Sequence, residues 1–191
     1  MDDIVKQAMA KWPHVPACSG WLGLDARGQW HLRDEAAQAC GDFTSGRPGA
    51  RGTPVRHDKL VDFIARNYLA EADGRWFFQN GPQRVYVELE CTPWVWRLRW
   101  DGQALELHSH TGLALDAGAV QASLLDGQGL LYLVLPLGLG VVHGQDMVDA
   151  AAALEAGVLP ECEEVQHALL PERYGFITSP AALEQGAKKP A

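Results

Sequence analysis

His108 and His110, one residue apart in ELHSHTG (106–112), are the sharpest chemical feature of this 191-residue sequence. Alternate side chains of a β-strand point the same way, so Glu106, His108 and His110 would share a face and offer a metal a His-x-His grip. A metal site needs a third ligand, for which His143 in VVHGQD (141–146) is the candidate. The competing reading makes the pair part of a solvated strand face, with Leu105 and Leu107 turned inward. No His–Cys spacing of the zinc-site type supports the metal. A metal-dependent enzyme or metal-binding protein using His108, His110 and His143 is therefore the alternative expectation, and no cofactor is assigned.

Other chemistry-bearing residues lack context. No G-x-S-x-G elbow is present, and Ser109 would point away from the two histidines that flank it. Cys91 is either a reactive thiol or, as more often, a small filler. Glu88 and Glu90 share a face but are expected beside Arg97. The glycines of LGLGVVHG (137–144) loosely echo a dinucleotide fingerprint, which requires a strand–turn–helix in a βαβ unit. The better reading has Gly138 and Gly140 bending a strand or admitting a close neighbour. One cationic patch stands out: Arg47 and Arg51 in GDFTSGRPGARGT (41–53), followed by Arg56 and His57. Its Gly, Pro and Ser content predicts a mobile loop, and its charges a ligand or partner contact that orders on binding.

The elements that must position these groups are constrained by composition. The chain carries 47% hydrophobic and 21% charged residues, a globular balance in a length that suits one domain or two small ones. The formal charge of −8 repels phosphate backbones, which argues against nucleic acid. The most apolar run, GLLYLVLPLGLGVV (129–142), is broken by Pro136, Gly138 and Gly140 and is too short for a helical membrane span. The N-terminus MDDIVKQAMAKWPHVPA does not resemble a secretory signal. Four cysteines (18, 40, 91 and 162), none in a C-x-x-C pair, permit two disulfides but read as reduced thiols in a cytoplasm.

Four segments, LDARGQWHLRD (24–34), EADGRWFFQNG (71–81), RWDGQALELHS (99–109) and LLDGQGLLYLV (124–134), set Asp and Gly just ahead of a strand-like run. Each reads as a hairpin turn, because glycine adopts positive φ at little cost. NGP (80–82) adds another. The spacing is irregular, so a β-meander is expected and not a solenoid. Helices are predicted at 2–11, over 56–70 from the spacing of Leu60, Phe63, Ile64 and Asn67 or Tyr68, and over 146–157. The tail from Glu172 reads as frayed, with Tyr174, Phe176 and Ile177 able to dock.

TPWVWRLRW (92–100) poses the sharpest question, with three tryptophans and two arginines in nine positions. Pairing it with QRVYVELE (83–90) through Cys91–Thr92–Pro93 would set Leu89 opposite Trp94, Val87 opposite Trp96 and Val85 opposite Leu98. Tyr86, Glu88, Arg97 and Arg99 would then form the other face. That reading makes the stretch a core hairpin and not a ligand-stacking surface.

The order of LDARGQWHLRD, HDKLVDFIARNYLAEADGRWFFQNGPQRVYVELECTPWVWRL and WDGQALELHSHTG resembles an uncharacterised proteobacterial family of domain-of-unknown-function type. It is more remotely similar to a bacterial family that pairs a strand-rich half with a half resembling a pleckstrin-homology (PH) barrel. The link VELECTPWVW matches that family with one residue more around Pro93. The resemblance covers about residues 20–157. It implies a mostly-β fold with helices and a role in binding or signalling, and it carries no catalytic residues.

The expectation is thus an α+β, strand-dominated fold: antiparallel meanders or small PH-like barrels with packed helices. It is organised as an arm (1–18), a strand-rich half (19–90), a second half (91–158) and a tail (159–191). The expected function is a soluble, cytoplasmic, non-enzymatic module binding a protein partner or small molecule, with a homodimer through an open sheet edge as a further possibility.

Overall fold

The tight turns anticipated from Asp-Gly set the architecture. The structure is a computed structural model and describes residues 1–188. In chain order the elements are helix α1 (Asp3–Lys11), strands β1 (Cys18–Leu24) and β2 (Trp30–Leu32), helix α2 (Glu35–Cys40), strand β3 (Thr53–Pro54) and helix α3 (Asp58–Arg66). Strands β4 (Tyr68–Ala70), β5 (Trp76–Asn80), β6 (Gln83–Leu89), β7 (Trp94–Trp100), β8 (Leu105–Ser109) and β9 (Ala114–Leu115) follow. Strands β10 (Ala122–Asp126), β11 (Leu131–Leu135) and β12 (Gly138–Val142), helix α4 (Met147–Glu155), strand β13 (Cys162–Val165) and helices α5 (Leu170–Tyr174) and α6 (Pro180–Lys188) complete the chain. All four Asp-Gly segments fall between consecutive antiparallel strands: β1–β2, β4–β5, β7–β8 and β10–β11.

The fold is α+β and strand-rich, and its strands form two sheets. One runs β3-β2-β1-β6-β5-β4 and the other β13-β10-β11-β12-β7-β8-β9. Both sheets are open among the described residues, so the expected barrel does not close. The chain divides into two compact units. The first comprises Met1–Asp25, Gln29–Glu90 and the chain from Phe176; the second comprises Ala26–Gly28 and Cys91–Gly175.

In the first unit the sheet has two buried faces. Leu22, Leu24, Trp30, Val85, Val87 and Phe78 share one, as the pairings Leu22 with Leu32, Leu22 with Val87, Leu24 with Trp30 and Phe78 with Val85 require. Helix α3 covers this face through Ile64 and Phe63, the latter edge-on to Phe78 at 5.4 Å. Gly23, His31 and Glu88 line the other face. There the loop 41–53 and α6 lie: the Phe43 ring rests on Gly23, where a Cβ would come within 2.5 Å of it.

That loop is pinned, contrary to the mobile segment expected from its composition. Arg33 is buried and donates from Nε to Ala50 O (2.7 Å), from Nη1 to Gly20 O (3.2 Å) and from Nη2 to Gly41 O (2.5 Å). Phe43 and Ala50 are buried as well. The tail is likewise folded as far as it is described. Phe176 is buried, Ile177 N–H donates to Gly74 O, and α6 is anchored where Ser179 Oγ (2.5 Å) and Ala181 N–H (3.0 Å) donate to the Glu88 carboxylate.

In the second unit β7 lies between β12, to which it is parallel, and β8. The hairpin expected between 83–90 and 92–100 does not form. β6 pairs with β1 and β5 instead, and Cys91–Thr92–Pro93 is a link and not a turn. Thr92 is buried; its Oγ1 donates to Trp94 O and accepts from Val141 N–H, fixing the chain as it enters β7. Val85, Val87, Leu89, Trp94, Trp96 and Leu98 are nevertheless all buried, so the stretch is core, as read from sequence. The arginines find other partners. Arg97 pairs with Asp146 (2.7 Å) and Arg99 with Glu106 (3.3 Å), while Tyr86 lies under Arg75 at 4.3 Å. Asp146 and Asp149 also accept the N–H groups of Leu98 and Trp100 (3.1 and 3.3 Å), tying the start of α4 to β7.

Candidate functional site

A groove of about 480 Å³ lies on the α3 face of the first sheet. A bulge builds it. Between the pairings Cys18 with Val85 and Leu22 with Val87, β1 spends four residues against two of β6, with Gly20 in the left-handed region at φ +83°. The extra residues let Trp21 and Leu22 both line the groove although they are neighbours in a strand. Leu32, opposite Leu22 on β2, forms one wall; Leu60 and Ile64 of α3 form the other, and Phe78 and Val85 the floor. Trp21 and Leu32 are 42% and 49% exposed, a large apolar area left open to water. Polar groups are few: Asp34, Asn80, Gln83, the Cys18 thiol and Arg33, whose guanidinium is committed to its three carbonyls.

The four cations read as a patch divide between two settings. Arg56 and His57 are exposed and lead directly into α3, one helical turn before Leu60 of the groove wall. Arg47 and Arg51 are exposed on the loop that covers the opposite sheet face. Arg51 there pairs with Glu90 and lies 5.8 Å over the Phe43 ring.

The three histidines also fall in different settings. His108 is exposed on β8, beside Arg97 of β7. His110 lies past the strand end in a turn: its Nδ1 accepts from Val95 N–H (3.2 Å), its ring tilts against Trp94, and burial pushes its pKa down to about 3, so it stays neutral. His143 is buried and its Nδ1 accepts from Gln145 N–H (3.2 Å), capping a short 3₁₀ turn. Among the described residues no group of three or more His, Cys, Asp or Glu side chains could hold a metal ion. Gly138 and Gly140 lie within β12 and not in a phosphate-binding turn.

Sequence reasoning missed a polar cluster in the second unit. Tyr132, fully buried, donates its hydroxyl to Asp126 Oδ2 (2.7 Å) and meets His167 Nδ1 at 2.9 Å. The Cys91 thiol donates to the same hydroxyl from 3.9 Å. Burial works against the Asp126 carboxylate, but N–H groups of Leu130 and Gln128 and the Tyr132 hydroxyl hold it below the usual range. Burial raises the Tyr132 phenol far above its ordinary value and the Cys91 thiol up to about 11. Cys91 is thus a thiol at neutral pH and a poor nucleophile. All four cysteines are free. The cluster satisfies a core tyrosine and caps the 126–130 turn. Asp126 was visible from sequence as a turn residue and Cys91 as a thiol or filler; nothing local announces that Tyr132 or His167 will join them.

An α+β protein of two open sheets, one carrying an apolar groove, is the class defined by the fold. The chain belongs to a family of unknown function: the DUF2944 model, described as "Protein of unknown function (DUF2946)", matches residues 1–181. No curated protein matches. Among solved structures the chain is similar to a DUF1285 family protein from Silicibacter pomeroyi DSS-3, at 15% identity over 70% of this chain and 69% of that one, with a TM-score of 0.47. A DUF1285 family protein from Shewanella baltica OS155 shares 15% identity over 73% of this chain and 96% of its own, with a TM-score of 0.42. No helix among the described residues is long and apolar enough to cross a membrane.

Proposed function

We propose that the protein is a non-enzymatic, cytoplasmic binding module whose groove holds a small apolar molecule with an anionic end. The observation that carries this reading is the joint exposure of Trp21 and Leu32 in a groove of about 480 Å³. That volume and its mostly apolar lining match sites for small ligands, in which a few polar groups set orientation. Arg56, exposed just ahead of α3, supplies the positive charge for the anionic end; Arg47 and Arg51, on the opposite sheet face, take no part in this reading.

The test uses 1-anilinonaphthalene-8-sulfonate, an apolar ring system bearing a sulfonate, with native mass spectrometry of the mixture. The expected result is saturable one-to-one binding that weakens at least tenfold in Leu32→Glu, a substitution at a half-exposed position of the groove wall. Binding that is non-saturable, or unaltered by Leu32→Glu, would overturn the reading.

A further inference from the structure

The edge of the second sheet formed by β13 has a character that the groove does not explain. Among the described residues β13 pairs only with β10, in parallel, from Ser123 with Cys162 to Asp126 with Val165, and is the last strand of its sheet. A terminal strand presents a row of backbone N–H and C=O groups that can receive another strand. Around it runs PECEEV (160–165), in which Glu161, Glu163 and Glu164 are all exposed. Glu163 is engaged by Arg173 of α5 at 2.7 and 3.0 Å, whereas Glu161 and Glu164 make no ion pair among the described residues.

Two clefts of about 340 Å³ each meet at this strand and share Glu164, Val165 and Gln166. Leu169, 53% exposed, and Leu170 line one; Leu125, 37% exposed, lines the other. The edge thus joins open backbone, a line of acids and apolar recesses. Such an edge can read a peptide by backbone pairing and by its alternating side chains.

We propose that β13 is the docking edge for an extended basic segment of a partner protein, which adds as an eighth strand of the second sheet. A lysine or arginine side chain of that segment meets Glu164, and the next, apolar side chain, turned to the other face, enters the cleft beside Val165 and Leu169, while Glu161 just ahead of the strand adds to the negative field. Charge decides the occupant. A second copy pairing through the same edge would oppose Glu161, Glu163 and Glu164 with like charges, a destabilising cross-strand arrangement. A basic strand replaces that repulsion with attraction and gains encounter rate from the chain's net charge of −8.

The probe is a labelled decapeptide of alternating lysine and valine, titrated into the full chain and followed by fluorescence anisotropy and amide chemical shifts. Binding is expected to shift amides of 161–166 and 125–127 and to weaken at least tenfold in Glu161→Lys/Glu164→Lys. The same peptide N-methylated on every backbone nitrogen keeps its charge and loses every N–H group that could pair with β13, so it should bind at least tenfold more weakly. Equal affinity of the two peptides would reduce the contact to bulk charge attraction and overturn the proposal. So would shifts scattered over the surface, or a concentration-dependent dimer that buries β13 without peptide.

Discussion

The Trp96 indole lies across Gly140 to reach a carbonyl two strands away. Gly140 pairs with Trp94 on one side and with Leu133 on the other, and Trp96 Nε1 donates to Leu133 O at 2.9 Å over it. A Cβ at 140 would stand 2.4 Å from Nε1 and Cε2 of that ring. Gly140→Ala should therefore cost about 1–3 kcal/mol through overpacking, although alanine ordinarily favours regular structure over glycine. Urea unfolding measures it; an unshifted midpoint would mean that the indole has room to retreat.

Trp96→Ala should cost about 3–5 kcal/mol, since the side chain is fully buried and stacks on Trp94 at 5.6 Å. A variant that melts like the parent would sink the core assignment of the strand.

Arg33→Lys keeps a positive charge but loses the planar fork that holds Gly20, Gly41 and Ala50. The expected cost is about 1.5–3 kcal/mol, in the range of hydrogen bonds made by charged groups. Limited trypsin digestion should then cut after Arg51, in the loop that Arg33 pins, while the parent resists. Identical digestion of the two proteins would show that Phe43 and Ala50 hold the loop without it.

Glu88 gives a pH dependence of definite sign. Burial raises its carboxyl above the usual range, outweighing the lowering effect of the hydrogen bonds from Ser179 and Ala181. The folded chain therefore holds this proton more tightly than the unfolded chain. The resulting stabilisation is complete below the ordinary glutamate value of about 4.3 and is lost as pH rises through the raised one. Glu88→Gln keeps an acceptor for Ala181 N–H and a donor for Ser179 Oγ while removing the titration. Stability of parent minus variant should fall as pH rises through that window. A flat difference would place the carboxyl at its ordinary value.

Local structure was legible because its causes are local. Asp25–Gly28, Asp73–Gly74, Asp101–Gly102 and Asp126–Gly127 each fall at the turn between paired strands, and the periodicity of Leu60, Phe63 and Ile64 yields α3 over Asp58–Arg66. Pairings between distant segments were not legible. β6 lies parallel to β1 and β7 parallel to β12, and parallel neighbours share no connecting turn to mark them. Two strands joined by three residues therefore looked like a hairpin. The groove depends on the same long-range order: the bulge at Gly20 exists only against Val85 and Val87, and Leu32 becomes a wall only because α3 folds over the sheet. Of the candidate site, the sequence showed Arg56, His57 and the α3 residues, but not Trp21 or Leu32 as partners.

The chain leaves the first unit after Glu90 and returns to it at Phe176, where Leu89 N–H donates to Thr178 O. On the ribosome this fixes an order of completion. Once residue 175 has emerged, every strand of the second sheet exists, yet the first unit still lacks Phe176 and the helix that Glu88 anchors. The unit that starts first is the last to be finished, and it must wait with its Glu88 face covered by loop 41–53 but not by α6 while some 85 residues of another unit are translated.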